Sequence, residues 1–575
     1  MSVVPSTWLL LPLLAYAAIC LHLARLAFRE NGDQERYFSA GHALASWMSA
    51  LLLAAVGLSG WFLLAGTAEV ASRGFSLAGL LVGGIALALP GVVLYRRIWA
   101  VGCRLGVSSD AELYRRYFGS DLLALASAIV AALIAVGFAG LQLRALAGML
   151  AELLGGSVTA PVAELCLAAL LFAYVAIGGL RAISYIGAVQ AVLLAFATAL
   201  LAAVVLITLG GFGGLNAALQ ALAGDPDGKA RFLVDGVLRF TAGLGRDPAG
   251  PAPTAMASFG AFVALMGLGA SPLAIKIVLS TRSPAGLAAG QTWVIAGVFG
   301  GLIALGIATI GAGGLIRPDL RIDALVQGLA ARSPWVAGWL FVALLAGAQM
   351  LAGLGLLVAA ENLVRHLYKP LLHADMSRAR TVGLVRIVVG LLALVSVLLQ
   401  ALAPVALSAL AGVALPLAAQ LLVPLLAIAW FGRLTKEGAV VGVGFGFAAV
   451  LLTEPLGLAI LSFFGLELPW GRWPWTLNSA VWGLAANIAA AVLVSLATQR
   501  RLVGEEHAEV RRFLAAMRGP ARSSGVASAA WAAVLAWLFL AVGPGLVFGN
   551  DAFGAPGSVG LGMPSLWAWM VLFWA

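Results

Sequence analysis

Apolar runs of about 20 residues, long enough to cross a bilayer core as helices, recur from Pro5 to the last residue, Ala575. None alternates apolar with polar positions as a membrane barrel strand does. The predicted spans are 5–27, 44–68, 76–96, 120–150, 160–178, 185–210, 256–281, 287–313, 335–360, 382–401, 404–430, 438–460, 476–497 and 526–548, with a shorter one from Pro564. The pattern predicts an all-α polytopic membrane protein of about 14–15 membrane segments.

The polar residues between runs set an orientation. Arg25, Arg29 and Arg36 follow the first span, and Arg96, Arg97, Arg104, Arg115 and Arg116 follow the third. Arg181, Arg282, Arg365, Lys369, Arg378, Arg380, Arg433, Lys436 and the group from Arg500 to Arg518 lie in later connections on the same side. With the N-terminus outside, all fall on one face, which the positive-inside rule assigns to the cytoplasm. The expected location is a bacterial-type inner membrane. The long opposite connection, 211–255, is rich in Gly, Pro and Asp. In 503–518, Val510, Phe513, Leu514 and Met517 recur at helical spacing among arginines. That segment reads as an amphipathic helix, lying on anionic lipid or packed on neighbouring spans.

Composition agrees: 62% of residues are hydrophobic and 10% charged, where a soluble domain has about 25% charged. The net charge of +10 is topological and implies no nucleic-acid partner. Cys20, Cys103 and Cys166 lack metal-ligand spacing and read as free thiols. No nucleotide, zinc or triad motif occurs, so neither an enzyme nor a cofactor is expected. The first apolar run lacks a basic n-region and a cleavage pattern and reads as a mature span. The segment from Pro564 is short for a span. It reads as a truncated end, a re-entrant or interfacial piece, or a helix completed by a partner, with Trp567 and Trp569 favouring an interface anchor.

Two spans carry breaks at corresponding places. Gly57 and Gly60 interrupt the second, and Gly267, Gly269 and Pro272 interrupt the seventh. Paired breaks of this kind mark a midplane site in transporters, where unwound backbone presents carbonyls and helix ends to a ligand. The plainer alternative is glycine as a packing residue.

Four further motifs occur in order: Tyr37-Phe38-Ser39-Ala40-Gly41, Leu58-Ser59-Gly60-Trp61, Gly178-Gly179-Leu180-Arg181-Ala182 with Gln190, and Trp430-Phe431-Gly432-Arg433 with Gly438. Together they resemble the sodium:solute symporter family. The resemblance covers roughly 5–500 and implies a LeuT-like core of two inverted five-helix repeats. These would be 44–210 and 256–430, flanked by an N-terminal helix and connection (1–43), the loop 211–255 and C-terminal helices (431–575). It also implies transport of a small organic solute.

The chain departs from this family where oxygen ligands hold sodium. Gly57 stands where proline-type members carry Asp, Ile186 and Gly187 where Thr-Asp is usual, and Met350 and Leu351 where a Ser-Thr pair closes the site. Carbonyls of Ala55 and Leu58 would remain as a degenerate cation site. Three readings stay open: a transporter that is uncoupled or proton-coupled, a transporter-shaped sensor or regulatory subunit with a separate signalling partner, and a conventional sodium symporter.

The expected solute contacts are Gly57, Ser59, Gly60, Gly269, Ser271, Pro272, Gln142 and Gln349. Lys276 is the candidate proton-coupling group, or else a lysine snorkelling to the interface that Arg282 marks. Arg144 would meet a substrate carboxylate, Glu152 or a headgroup. Glu69 and Glu361 read as interfacial, and Gln420 and Asn487 as helix–helix contacts.

Overall fold

In a computed structural model the chain is built from helices, with no strand beyond isolated bridges among the described residues. The structure describes residues 6–31, 34–76, 82–244, 253–499, 510, 512–513, 524–554 and 564–575. The proposed amphipathic helix 503–518 lies almost wholly outside them.

Ten described helices are long and apolar enough to cross a membrane, or up to 13 when each of three bent pairs counts as one span. Ala160–Leu209 is a single 50-residue element; straight, it would be about 75 Å long, more than twice the hydrocarbon thickness. Gly179, at φ 60° and ψ −147°, leaves the helical conformation and divides it where 160–178 and 185–210 were expected to part. Lys436–Leu452 and Pro455–Phe463 meet at 80° rather than forming the straight span 438–460.

Burial ranks the helices. The whole apolar window of Pro334–Leu372 is enclosed, so this helix is the centre of the bundle. Thr7–Glu30, Arg378–Leu402 and Ser479–Thr498 are mostly open to the surroundings. Exposed Trp8, Leu14, Phe196, Ile207, Phe445 and Leu496 make that outer surface apolar, as a bilayer requires. Small residues let backbones approach at the centre. Gly355 lies against Ala135, Gly137 against Ala411, and Gly347 against Leu194.

Two of the ordered motifs meet. A Cβ on Gly179 would strike the Tyr37 carbonyl and ring, and Tyr37 Oη donates to the Val175 carbonyl at 3.1 Å. Arg181 Nη2 donates to the Ala40 carbonyl at 3.0 Å and Nη1 to the Glu30 carbonyl at 2.8 Å. The motifs thus fasten the turn at Gly179 to the segment before the second span. A third motif closes differently. The Arg97 guanidinium lies 3.4 Å from the Trp430 ring centroid and donates to the Ala429 carbonyl.

The connection 211–255 contains the helices Gly211–Gly224 and Pro226–Lys229. Asn550, far along the chain, brackets Val234 with two hydrogen bonds of 2.9 and 3.0 Å. The terminal helix Ser565–Trp574 is not an interface anchor. Trp567 is buried and stacks on Phe75 at 5.2 Å, and the indole N–H of Trp574 donates to the Ala296 carbonyl. Its aromatic residues are consumed by protein contacts.

Candidate functional site

The first broken span runs as Ser46–Gly57, then Leu58 and Ser59, then Gly60–Arg73. Leu58 N–H still reaches the Ala54 carbonyl. The carbonyls from Ala55 to Leu58 fall where a helix runs out of intrahelical partners. Gly60 is required by packing: a Cβ there would lie 2.7 Å from the Ala348 backbone nitrogen of the central helix. Gln142 closes the other side, its Oε1 accepting from Trp61 N–H at 3.0 Å and its Nε2 donating to the Phe138 carbonyl. Trp61 packs edge-on against Phe138 at 4.8 Å. Ser59 Oγ is buried at the break and has no hydrogen-bond partner among the described residues, an exception among buried polar groups.

The second broken span, Ala255–Gly269 and Pro272–Ser280, bends by 41°. Ser271 caps the second half: its Oγ accepts from Ala274 N–H and donates to the Leu268 carbonyl at 2.7 Å. Pro272 takes the first helical position, where its missing N–H costs nothing. The Gly269 carbonyl accepts from Tyr95 Oη at 2.7 Å. Leu87 joins the two breaks. Its side chain would contact a Cβ on Gly57 at 3.0 Å, and its carbonyl would meet one on Gly269 at 2.9 Å. The sequence-predicted residues Gly57, Ser59, Gly60, Gln142, Gly269, Ser271 and Pro272 thus belong to two breaks that share Leu87 and its helix as neighbour.

Gln349 does not join them. Its Oε1 accepts from Tyr16 Oη at 2.7 Å, and Gln190 Nε2 donates to the same hydroxyl at 2.7 Å. Its side chain therefore serves a polar cluster with the N-terminal helix Ser6–Glu30, one helical position beyond the Ala348 that touches Gly60.

Of the positions expected to form a degenerate cation site, Gly187 has hydrocarbon as its nearest surroundings. A Cβ on Gly187 would lie 2.8 Å from Leu52 Cδ1 and 3.6 Å from Met350 Cε. Ala55, Leu58, Ile186, Met350 and Leu351 are all buried.

Lys276 corrects two expectations. It neither snorkels nor reaches an interface. It is fully buried, and its Nζ lies 2.7 Å from both carboxylate oxygens of Glu361. Glu361, expected at an interface, is equally buried. Glu361 also accepts from Arg365 at 2.9 Å, and Arg365 reaches Glu35 at 2.8 Å while lying over the Phe38 ring. This chain of charges ties the second broken span to the central helix and to the segment Gln34–Ser39. Burying such charges is tolerable only because each has a partner. The i, i+4 spacing of Glu361 and Arg365 was a readable signal; the long-range partner was not. Arg144 pairs with Glu164 at 3.7 Å, not Glu152, which accepts from Gln327. Asn487 donates to the Gln420 carbonyl at 2.9 Å, the expected interhelical contact.

Asp110, the first residue of the helix Asp110–Phe118, is also buried. Burial pushes its carboxyl up to about 6, against a hydrogen bond from Ser127. No cluster of metal-ligating side chains occurs among the described residues.

A sequence model of the sodium:solute symporter family matches residues 37–446. The sodium/proline symporter of Escherichia coli (strain K12) is 24% identical over 479 residues, covering 79% of this chain and 89% of its own. Among solved structures, a substrate-bound, outward-open Na⁺-coupled sialic acid symporter superposes with TM-score 0.65 at 16% identity, over 85% of this chain and 97% of its own. At that identity the likeness establishes the fold, which is that of LeuT-like transporters.

Proposed function

Because the chain belongs to the sodium:solute symporter family, we propose that it carries a small organic solute across the cytoplasmic membrane without taking sodium as its coupling ion. Family and fold are those of solute transporters. One observation supports the departure from sodium: Leu52 and Met350 converge on Gly187, where the family resemblance implies the Asp of a Thr-Asp pair. Moving Na⁺ out of water has a desolvation cost that ligands must offset. Carbonyls of Ala55 and Leu58 bring dipoles but no charge. The solute would bind at the two breaks, with the unpartnered Ser59 hydroxyl as the first side chain to meet it.

The Lys276–Glu361–Arg365–Glu35 chain holds the basic side closed in this reading, and opening that side must break the ties or carry them along. A proton that enters or leaves this chain would supply coupling, with Lys276 and Glu361 as the acceptor pair.

Purified protein in liposomes tests the proposal. A panel of labelled amino acids, small carboxylates and sugars is offered with Na⁺, K⁺ or choline outside, with and without a pH gradient. The expected result is uptake of one class, unchanged by Na⁺. Both relatives named above are described as sodium-coupled, and saturable stimulation by Na⁺ alone would place this chain with them. Solute binding without uptake would favour the sensor reading.

A further inference from the structure

We propose that a cationic cavity on the basic face, which the positive-inside rule reads as cytoplasmic, binds a phosphate-bearing anion. The cavity has a volume of about 430 Å³, within the range of small-ligand sites. It lies between the helix Asp110–Phe118, the segment Gln34–Ser39, the π-helical turn Asn362–Tyr368 and the start of Arg378–Leu402. Five cationic side chains line it: Arg115, Arg116, Arg365, Lys369 and Arg378. Among the described residues the lining carries two carboxylates, Glu35 and Glu112, and Asp121 and Glu361 pair with Arg115 and Arg365 from beside it, at 2.6 and 2.9 Å.

The carboxylates are already committed. Glu35 accepts from Arg365, and Glu112 accepts from Ser108 N–H at 2.9 Å. The cations are not all so engaged. Lys369 and Arg378 have no ion-pair or side-chain hydrogen-bond partner among the described residues. Among the described residues Arg116 makes one side-chain bond, to the Leu105 carbonyl, of the five that a guanidinium can donate. With Arg115 and Arg365 ion-paired, the charge left for a ligand is that of Arg116, Lys369 and Arg378, which suits an anion with more than one charge. A phosphate group carries about −1.5 to −2 near neutrality and three acceptor oxygens, which guanidinium forks match. The cavity sits at the ends of membrane helices, so that phosphate comes either from a soluble anion or from a lipid headgroup. Arg365 lines the cavity and also belongs to the ion-pair chain, so occupancy is linked to the closure of the basic side.

The test uses the full chain in nanodiscs at constant ionic strength. One arm measures binding of radiolabelled orthophosphate and pyrophosphate in neutral phosphatidylcholine. The other compares thermal midpoints in phosphatidylcholine alone and with phosphatidylglycerol added. The double variant Lys369→Gln/Arg378→Gln leaves every pair made by Arg365 in place. Saturable binding of the soluble probes, weakened at least tenfold in the variant, assigns a free phosphate anion. A midpoint raised by phosphatidylglycerol in the wild type but not in the variant, with no soluble binding, assigns the headgroup. No response in either arm, or a response the variant keeps in full, overturns the proposal.

Discussion

Glu361→Gln should be the most damaging single change in the charged chain, and more damaging than Lys276→Met. Both side chains are wholly buried, and Lys276 Nζ lies 2.7 Å from each Glu361 oxygen. Neutralising Glu361 leaves an ammonium in the protein interior with Arg365 as its cationic neighbour. Removing one partner of a buried pair costs about 3–5 kcal/mol. Lys276→Met is milder, because Glu361 keeps Arg365 at 2.9 Å. Its loss is closer to that of a charged hydrogen bond, about 1.5–3 kcal/mol. The double variant removes both buried charges and leaves Arg365 on Glu35, so it should recover at least half of the Glu361→Gln loss. Unfolding of purified protein in mixed micelles, titrated with dodecyl sulfate, reads all four corners of the cycle. Additive losses, or a Lys276→Met loss larger than that of Glu361→Gln, would refute the reasoning that Glu361 is the shared anion.

Gly60→Ala should cost about 1–3 kcal/mol by overpacking and abolish uptake, since its Cβ meets central-helix backbone at 2.7 Å; Gly148→Ala, with nothing within 4 Å, is the silent control in the same unfolding assay. Asp110 has its carboxyl raised from 3.8 to about 6 by burial, so the native state favours the protonated form. The stability this gives is present below pH 4 and lost as pH rises through 6; Asp110→Asn should therefore be more stable than wild type at pH 8, by up to about 3 kcal/mol, with the gap closing by pH 4 in denaturant titrations. In a background with Cys20, Cys103 and Cys166 replaced, a cysteine at exposed Ala374 should react with an impermeant maleimide only from the cytoplasmic side, and one at exposed Asp235 only from outside; reversed labelling would overturn the orientation.

What could be read from the sequence was local. Apolar run length located the spans, because the bilayer imposes one length on every crossing. The breaks were legible because Gly and Pro change backbone options wherever they stand, and the structure interrupts both spans within two residues of the marked glycines. The turn at Gly179 was placed correctly but its cause was not, since only the fold brings Tyr37 against it. Gln349 shows the converse. Hydropathy ranks a buried Gln as polar and available, yet its partner Tyr16 lies 333 residues away. The same distance problem hid Glu361 from Lys276, 85 residues apart. At the C-terminus run length marked the segment as short of a span, and it was the two tryptophans that misled: they suited an interface equally well but are held by Phe75 and Leu540.

The degenerate cation positions belong to a third kind. There the family resemblance implied oxygen-bearing residues at positions where the sequence has Gly57, Gly187 and Met350. A loss alone leaves open whether water or a rearranged side chain refills the place. The fold narrows this choice, because the nearest groups to a side chain at Gly187 would be the methyls of Leu52 and Met350. A water there would need two to four polar partners, and methyl groups supply none. Hydrocarbon contact at the position also adds packing between the first broken span, the helix through Gly187 and the central helix. On the proposed reading, a carboxylate introduced at Gly187 alone would bury a charge against the methyl groups of Leu52 and Met350.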